Sequence, residues 1–233
     1  MYGGENINRF DFLALTQIIS TLLKYISVKP RFHSLDDIAL ALTSYLLGLS
    51  SWRTLLPHTT LLYYFHKLAN VNYEVKVDVK RGDYLLVDET KVLRVNGEYY
   101  YLWVVRHYES GLVVFFMLTS LRSGFHVYVI LNGIKLENWR DKVIFLHDKA
   151  SVYKAFSWFN AKHEVETFGK RSLVELVFRS LKHRLASMDS HFTWNSTRNT
   201  ITRWLKIFFL IYNTIYSKSI SISWNKIEFY GGG

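Results

Sequence analysis

A chain of 233 residues, 49% of them hydrophobic, has apolar content enough for a packed core, which excludes disorder as its resting state. Its net charge of +10 draws it to polyanions, nucleic acid or an anionic membrane surface being the usual ones. It holds no Cys, so disulfides and thiolate metal sites are excluded, and its 16 Tyr, 16 Phe and 7 Trp supply rings that fill cores or stack on bases.

Met1 to Phe10 lacks the basic stretch, apolar run and small-residue cleavage site of a signal peptide. No uncharged apolar run reaches bilayer length, because Leu205 to Tyr216 is short and carries Lys206 and Asn213. An intracellular, cytoplasmic protein is the expectation, with no membrane partner. Phe10 to Ile26 spaces Phe10, Leu13, Ile18, Leu22 and Ile26 at helical intervals, and Lys29-Pro30 stops the helix. Ser34 is a candidate N-cap, with Asp36 and Asp37 in the first turn where the helix dipole favours acids, and Gly48 fits the C-terminal cap. After Pro57, Thr59 or Thr60 caps a helix from Leu61 to Leu68. Short helices around a Gly-containing turn give a helix-turn-helix pattern, in which His58, Thr59, Thr60, Tyr63 and Lys67 would approach DNA; an ordinary helical bundle is the alternative.

Polar Val71 to Arg81 reads as a linker. From Tyr84 the period changes to that of strands: Tyr84 to Val87 ends in Asp88, Val92 to Val95 leads into an Asn96-Gly97 hairpin signal, Glu98 to Arg106 follows, and Leu112 to Leu118 completes an antiparallel meander. Ser123 to Asn132 reads as a helix, and Val143 to His147 as a buried parallel strand that again ends in an acid, Asp148. Ser151 to Phe159 is helical, His163 to Thr167 a brief strand, and Ser172 to Ala186 an amphipathic helix. Three strands, helix, strand, helix, strand, helix is the order of the ribonuclease H-like fold, a mixed α/β sheet with helices on both faces. The expected division is a helix-turn-helix domain over 1–70, a linker over 71–83, a catalytic domain over 84–190 and a C-terminal helix over 191–233 that packs on it.

Acids that end apolar strands stand where open α/β sheets gather their ligands. In this topology the strands before Asp88 and Asp148 are neighbours, so the two carboxylates converge. On the Ser172 to Ala186 helix, Leu173, Val177, Leu181 and Leu185 form an apolar stripe, while Glu175, Arg179 and Lys182 share a second face. Carboxylates hold hard divalent cations and the bases can bind phosphates. Two such ions activate the attacking oxygen of a phosphodiester exchange and stabilise the leaving one, which makes Mg²⁺ or Mn²⁺, two ions in all, the expected cofactor. Each acid has a bland reading: a turn or helix cap for either Asp, and a surface ion pair for Glu175 with Arg179.

The same positions carry a signature. Val87-Asp-Glu-Thr-Lys-Val-Leu-Arg-Val-Asn-Gly-Glu-Tyr-Tyr-Tyr-Leu-Trp103 resembles the first catalytic block of Asp-Asp-Glu transposases of the insertion-sequence-six family. His147-Asp-Lys-Ala-Ser-Val-Tyr153 is similar to the second block, and Leu173-Val-Glu-Leu-Val-Phe-Arg-Ser-Leu-Lys182 to the third, whose Glu precedes a Lys or Arg by seven residues. Pro57 to Lys67 looks like the end of that family's helix-turn-helix. The resemblance implies metal ligation by Asp88, Asp148 and Glu175, a DNA-phosphate contact by Lys182, and cleavage and strand transfer at one metal site with a cointegrate as outcome. It also implies double-stranded DNA partners, namely terminal inverted repeats and target DNA, a homodimer or larger synaptic assembly, and a nucleoid-associated location. Glu89 and Lys149 match motif positions without an assigned role. Asp148 and Glu175 lie 27 residues apart, shorter than the family's usual spacing, which leaves Glu164 and Glu166 as rivals of Glu175.

In the tail, Thr197 to Tyr216 reads as a helix with a broad apolar side that packs on the sheet, while Arg198, Arg203 and Trp194 are alternative DNA contacts. The rival functions are a ribonuclease H-like nuclease or resolvase that cuts without joining, and a domesticated, inactive DNA-binding remnant.

Overall fold

A computed structural model describes residues 12–47, 49–95, 98–166, 169–170, 172–186, 197–223 and 226–231. The chain opens with α1 (Phe12–Tyr25), α2 (Leu35–Leu46) and α3 (His58–Ala69). Ser34 does cap α2: its hydroxyl accepts the Asp37 N–H at 3.0 Å while the Asp37 carboxylate accepts the Ser34 N–H at 3.2 Å, so two otherwise orphaned donors are satisfied. The expected Gly48 cap lies outside the described residues. Residues 47–57 separate α2 from α3, a longer connection than the three or four residues of an ordinary helix-turn-helix. His58 is itself the first residue of α3, with Pro57 as N-cap.

Next, β1 (Asn72–Val77) occupies the stretch expected as linker. It pairs in parallel with β8 (Lys226–Gly231), which pairs antiparallel with β7 (Ser219–Ser223), making a small second sheet from segments far apart in the chain. The main sheet contains β2 (Tyr84–Val95), β3 (Glu98–His107), β4 (Val113–Thr119), β5 (Ile144–His147) and β6 (His163–Val165) in the order β4-β3-β2-β5-β6. Pairing is antiparallel across β4-β3-β2 and parallel across β2-β5-β6. This mixed sheet, with the first and fourth of its strands adjacent, is compatible with the ribonuclease H-like arrangement. β2 continues past the expected break to Val95, with a register irregularity between Lys91 and Leu93; the Asn96-Gly97 turn lies outside the described residues.

Between the strands run α4 (Phe125–Gly133), a 3-10 turn over Ser151–Lys154 that continues into α5 (Ala155–Trp158), α6 (Ser172–Ala186) and α7 (Arg198–Tyr216). Side chains alternate across a pleated sheet, so each cross-strand row belongs to one face. The Asp88–Val104–Phe116 row meets α7, where the Phe116 ring packs tilted against Phe209 with centroids 4.5 Å apart. The Glu89–Trp103–Met117 row faces α4 and the 3-10 turn, through His126 and Tyr153 beside Trp103 at 5.4 and 6.0 Å.

α7 also closes the edge of the sheet. Fully buried Asn213 accepts the Val113 N–H and donates to the Val113 C=O, both at 2.9 Å, so its side-chain amide stands in for a missing neighbouring strand. Helices α1 to α3 share one hydrophobic cluster with the sheet and α7, and α3 packs directly on α7. Among the described residues no helix is long and apolar enough to cross a membrane.

Candidate active site

Register brings two of the expected acids together. In the parallel β2–β5 pair Tyr84, Leu85 and Leu86 stand opposite Ile144, Phe145 and Leu146. Asp88 lies two residues past Leu86 within β2, and Asp148 two past Leu146, immediately after β5 ends at His147. The first strand arrives there because Leu85, Leu86 and Val87 are wholly buried and cannot leave the core. Asp88 is carried in with them and is 4% exposed. Its Oδ1 accepts the Glu89 N–H at 3.0 Å. Asp148 is half-buried, and its Oδ1 accepts the Ala150 N–H at 2.8 Å, an Asx-type turn that fixes the carboxylate as the chain leaves β5.

Glu89, next to Asp88 in the chain, is a further acid on which both aspartates act. Its side chain is only 6% exposed, paired to Arg122 through Oε1 and accepting the Tyr153 hydroxyl through Oε2. Burial pushes the Glu89 carboxyl up to about 7; Tyr153 and Arg122 pull it down, while Asp88 and Asp148 push it up again. The same two aspartates, after burial and Glu89, help hold the Tyr153 hydroxyl well above its ordinary value, so Tyr153 is a donor here. Both aspartates therefore act on one glutamate and one tyrosine, an electrostatic sign of their convergence. Glu89 is paired with Arg122, and Asp88 and Asp148 both act electrostatically on it, so carboxylate oxygens of the kind that suit hard divalent cations gather at this end of β2 and β5.

Behind Asp148 a chain of imidazoles anchors the strand end. His147 Nδ1 lies 2.6 Å from the Asp148 carbonyl and must donate to it, so Nε2 carries the lone pair. That nitrogen accepts from His163 Nδ1 at 2.9 Å, and His163 Nε2 accepts the Ser157 hydroxyl at 2.7 Å. A neutral His147 satisfies this series. Burial accordingly lowers the His147 ionisation, and the ring stacks on Tyr153, Phe156 and His163.

Glu175 stands exposed in the first turn of α6, a helix that packs against β2. Arg179 is exposed one turn further on, and the Lys182 side chain lies outside the described residues, as does Trp194. Of the rivals, Glu164 is exposed on β6, 3.4 Å from the Tyr84 hydroxyl, and Glu166 is half-buried just beyond that strand. The α3 group stands on a helix that packs on α2 and α7. His58 takes Ser51 Oγ at 2.8 Å and stacks on Trp52 at 4.3 Å, while Lys67 lies over the exposed Tyr63 ring at 4.8 Å. Thr59 is exposed and Thr60 half-buried. Arg198 spends its guanidinium on the Leu118 carbonyl at 2.7 Å.

Glu89, Arg122 and the histidine chain are the parts the sequence reading left without a role. Glu89 was visible as a second acid beside Asp88, and Tyr153 as the tyrosine after Asp148; Arg122 and His163 carry no local signal. A different group of ligand-type side chains, Asp83, His107 and Glu109, sits at the start of β2, five residues before Asp88.

The chain matches no protein-family profile. It is 28% identical over 195 residues to the uncharacterized protein MJ0017 of Methanocaldococcus jannaschii, covering 83% of this chain and 89% of that one. Among solved structures it is similar to the Mos1 transposase catalytic domain with raltegravir and Mg, at 18% identity and a TM-score of 0.30 over 55% of this chain and 83% of that one. A second structure, the Mos1 mariner transposase catalytic domain, gives 16% identity and a TM-score of 0.29 over 66% and 89%. The Mos1 strand transfer complex gives 13% and 0.30 over 84% and 67%. Overlap at that level adds nothing to what strand order and register show.

Proposed function

We propose that this chain is an Asp-Asp-Glu transposase of the insertion-sequence-six type, which cleaves DNA at an element's ends and joins the freed 3′ hydroxyls to target DNA, with a cointegrate as product. The observation that supports this reading is a β4-β3-β2-β5-β6 sheet whose adjacent parallel strands β2 and β5 carry Asp88 and lead into Asp148. The +10 net charge and the three catalytic blocks support it. Asp88 and Asp148 hold divalent cations, Mg²⁺ or Mn²⁺, and Glu175 supplies the third carboxylate from the helix that packs on β2. Bound ions supply activation of the attacking oxygen and charge relief at the leaving one. The protein's own contribution is to aim Asp148 by the Ala150 N–H and the His147 contact to its carbonyl, to aim Asp88 by the Glu89 N–H, and to hold Glu89 between Arg122 and Tyr153. Arg179 and Lys182 contact DNA phosphates, and His58, Thr59, Thr60, Tyr63 and Lys67 form part of the helical DNA-reading unit over 1–70. Two DNA ends must meet, so the working form is a homodimer or larger.

The test is a plasmid carrying the DNA that flanks this gene, incubated with the protein and Mn²⁺ or Mg²⁺. Joined products that disappear in Asp88→Asn and Asp148→Asn support the reading. Cuts without joining assign a nuclease or resolvase, and DNA binding without either assigns a non-catalytic protein. Activity that survives Glu175→Gln but not Glu89→Gln moves the third carboxylate to Glu89.

A further inference from the structure

At the end of the main sheet away from the aspartates, three ligand-type side chains close on one point. Asp83 directly precedes β2, His107 ends β3, and Glu109 stands in the turn to β4. His107 Nε2 lies 3.4 Å from Asp83 Oδ2 and 3.3 Å from Glu109 Oε2. Along β2 the group is five residues from Asp88, about 16 Å, so the two sets share no ligand. We propose that Asp83, His107 and Glu109 form a binding site for a borderline first-row transition ion, Zn²⁺, Co²⁺ or Mn²⁺, that clamps the β3–β4 turn to the start of β2. This inference does not rest on the proposed transposase activity.

The distances are the first argument. A ring N–H has one proton to give, yet this nitrogen faces two carboxylates, each beyond the usual range of an N–H···O bond. By contrast, ligand atoms around a tetrahedral ion with bonds near 2.1 Å sit about 3.4 Å apart, and around an octahedral one about 3.0 Å. Two carboxylates face one edge of the His107 ring, and a cation bound between them offsets their mutual repulsion.

The surroundings supply what metal ligands need. Asp83 Oδ2 is held by the Lys80 N–H at 2.7 Å. On the far side of the ring, Ser110 offers Nδ1 both its N–H at 3.2 Å and its hydroxyl at 3.0 Å. The hydroxyl accepts from Nδ1–H when Nε2 gives its lone pair to an ion, so metal entry shifts the proton between ring nitrogens of a neutral histidine. His107 is 1% exposed and Asp83 14%, whereas Glu109 is 34% exposed and leaves one side open for water ligands. One nitrogen with two oxygens favours a borderline ion over Mg²⁺, which prefers oxygen and keeps its waters. In a chain without Cys, such a site is also the available covalent-like tie for a turn.

The experiment removes the other carboxylate site first. Protein with Asp88→Asn and Asp148→Asn is stripped with chelator and titrated with Co²⁺, following visible absorption and thermal unfolding. One equivalent should bind with the spectrum of mixed nitrogen and oxygen ligation, raise the melting temperature, and be displaced by Zn²⁺. Adding Glu109→Gln, an exposed change, should weaken binding at least about tenfold. No saturable binding, or binding that Glu109→Gln and Asp83→Asn both leave unchanged, overturns the site. If the double variant does not fold, the wild type serves: Glu109→Gln must remove one equivalent of Co²⁺ from its stoichiometry, and an unchanged count refutes the proposal.

Discussion

Replacing Glu89 by Gln should make this protein's stability fall more steeply with acid. In the folded protein the buried carboxyl ionises at about 7, against an ordinary 4.5. Below pH 4.5 it is protonated in the folded and unfolded chains alike, and its share of stability is fully present. Between the two values the unfolded chain ionises while the folded site keeps its proton, so stability drains away as pH rises. At about 1.4 kcal/mol per pH unit the loss approaches roughly 3 kcal/mol. Gln keeps an oxygen for Tyr153 and has nothing to ionise. Four histidines act in the opposite sense: desolvation lowers the buried His147 and His107 and the half-buried His126 and His66, so their share is present above 6.5 and lost as pH falls below it. Urea unfolding in chelator from pH 4.5 to about 8 should therefore show wild type flattened by compensation and Glu89→Gln weakening steadily toward acid. A wild type minus variant difference that stays constant across this range would falsify the buried, proton-holding Glu89.

Three other outcomes follow from named contacts. Asn213→Ala strands the N–H and C=O of Val113 without partners inside the core and should cost about 2–4 kcal/mol in urea unfolding; a loss under 1 kcal/mol would mean the edge strand is satisfied by other means. Gly133→Ala should destabilise by about 1–3 kcal/mol although Ala is the better helix former, because the new Cβ would overlap the Phe115 ring at the end of α4. The same measurement showing a gain would refute that overlap. Asp88→Asn should lower single-turnover DNA cleavage by at least about a hundredfold with folding intact by circular dichroism, and unchanged cleavage would remove Asp88 from the site.

Much of this architecture is local in origin. The α2 cap, α6 and the long apolar helix α7 follow from periods and capping residues that lie within a few positions of each other. Buried strands ending in Asp88 and Asp148 are equally legible, because an apolar run broken by an acid is a contiguous signal. Strands β1, β7 and β8 were not, since the partner of Asn72–Val77 lies at Lys226–Gly231 and a short polar strand owes its existence to that partner. The same is true of the site's remaining parts. Glu89 takes its proton affinity from burial and from neighbours as distant in sequence as Arg122, Asp148 and Tyr153, and His107 meets Asp83 only because β2 and β3 run side by side. Spacing along the chain thus determined the helices, the main strands and the two aspartates that end them. The second sheet, the edge closed by Asn213 and the company kept by Glu89 and His107 were decided by tertiary packing, because burial and cross-strand register exist only once distant segments have met.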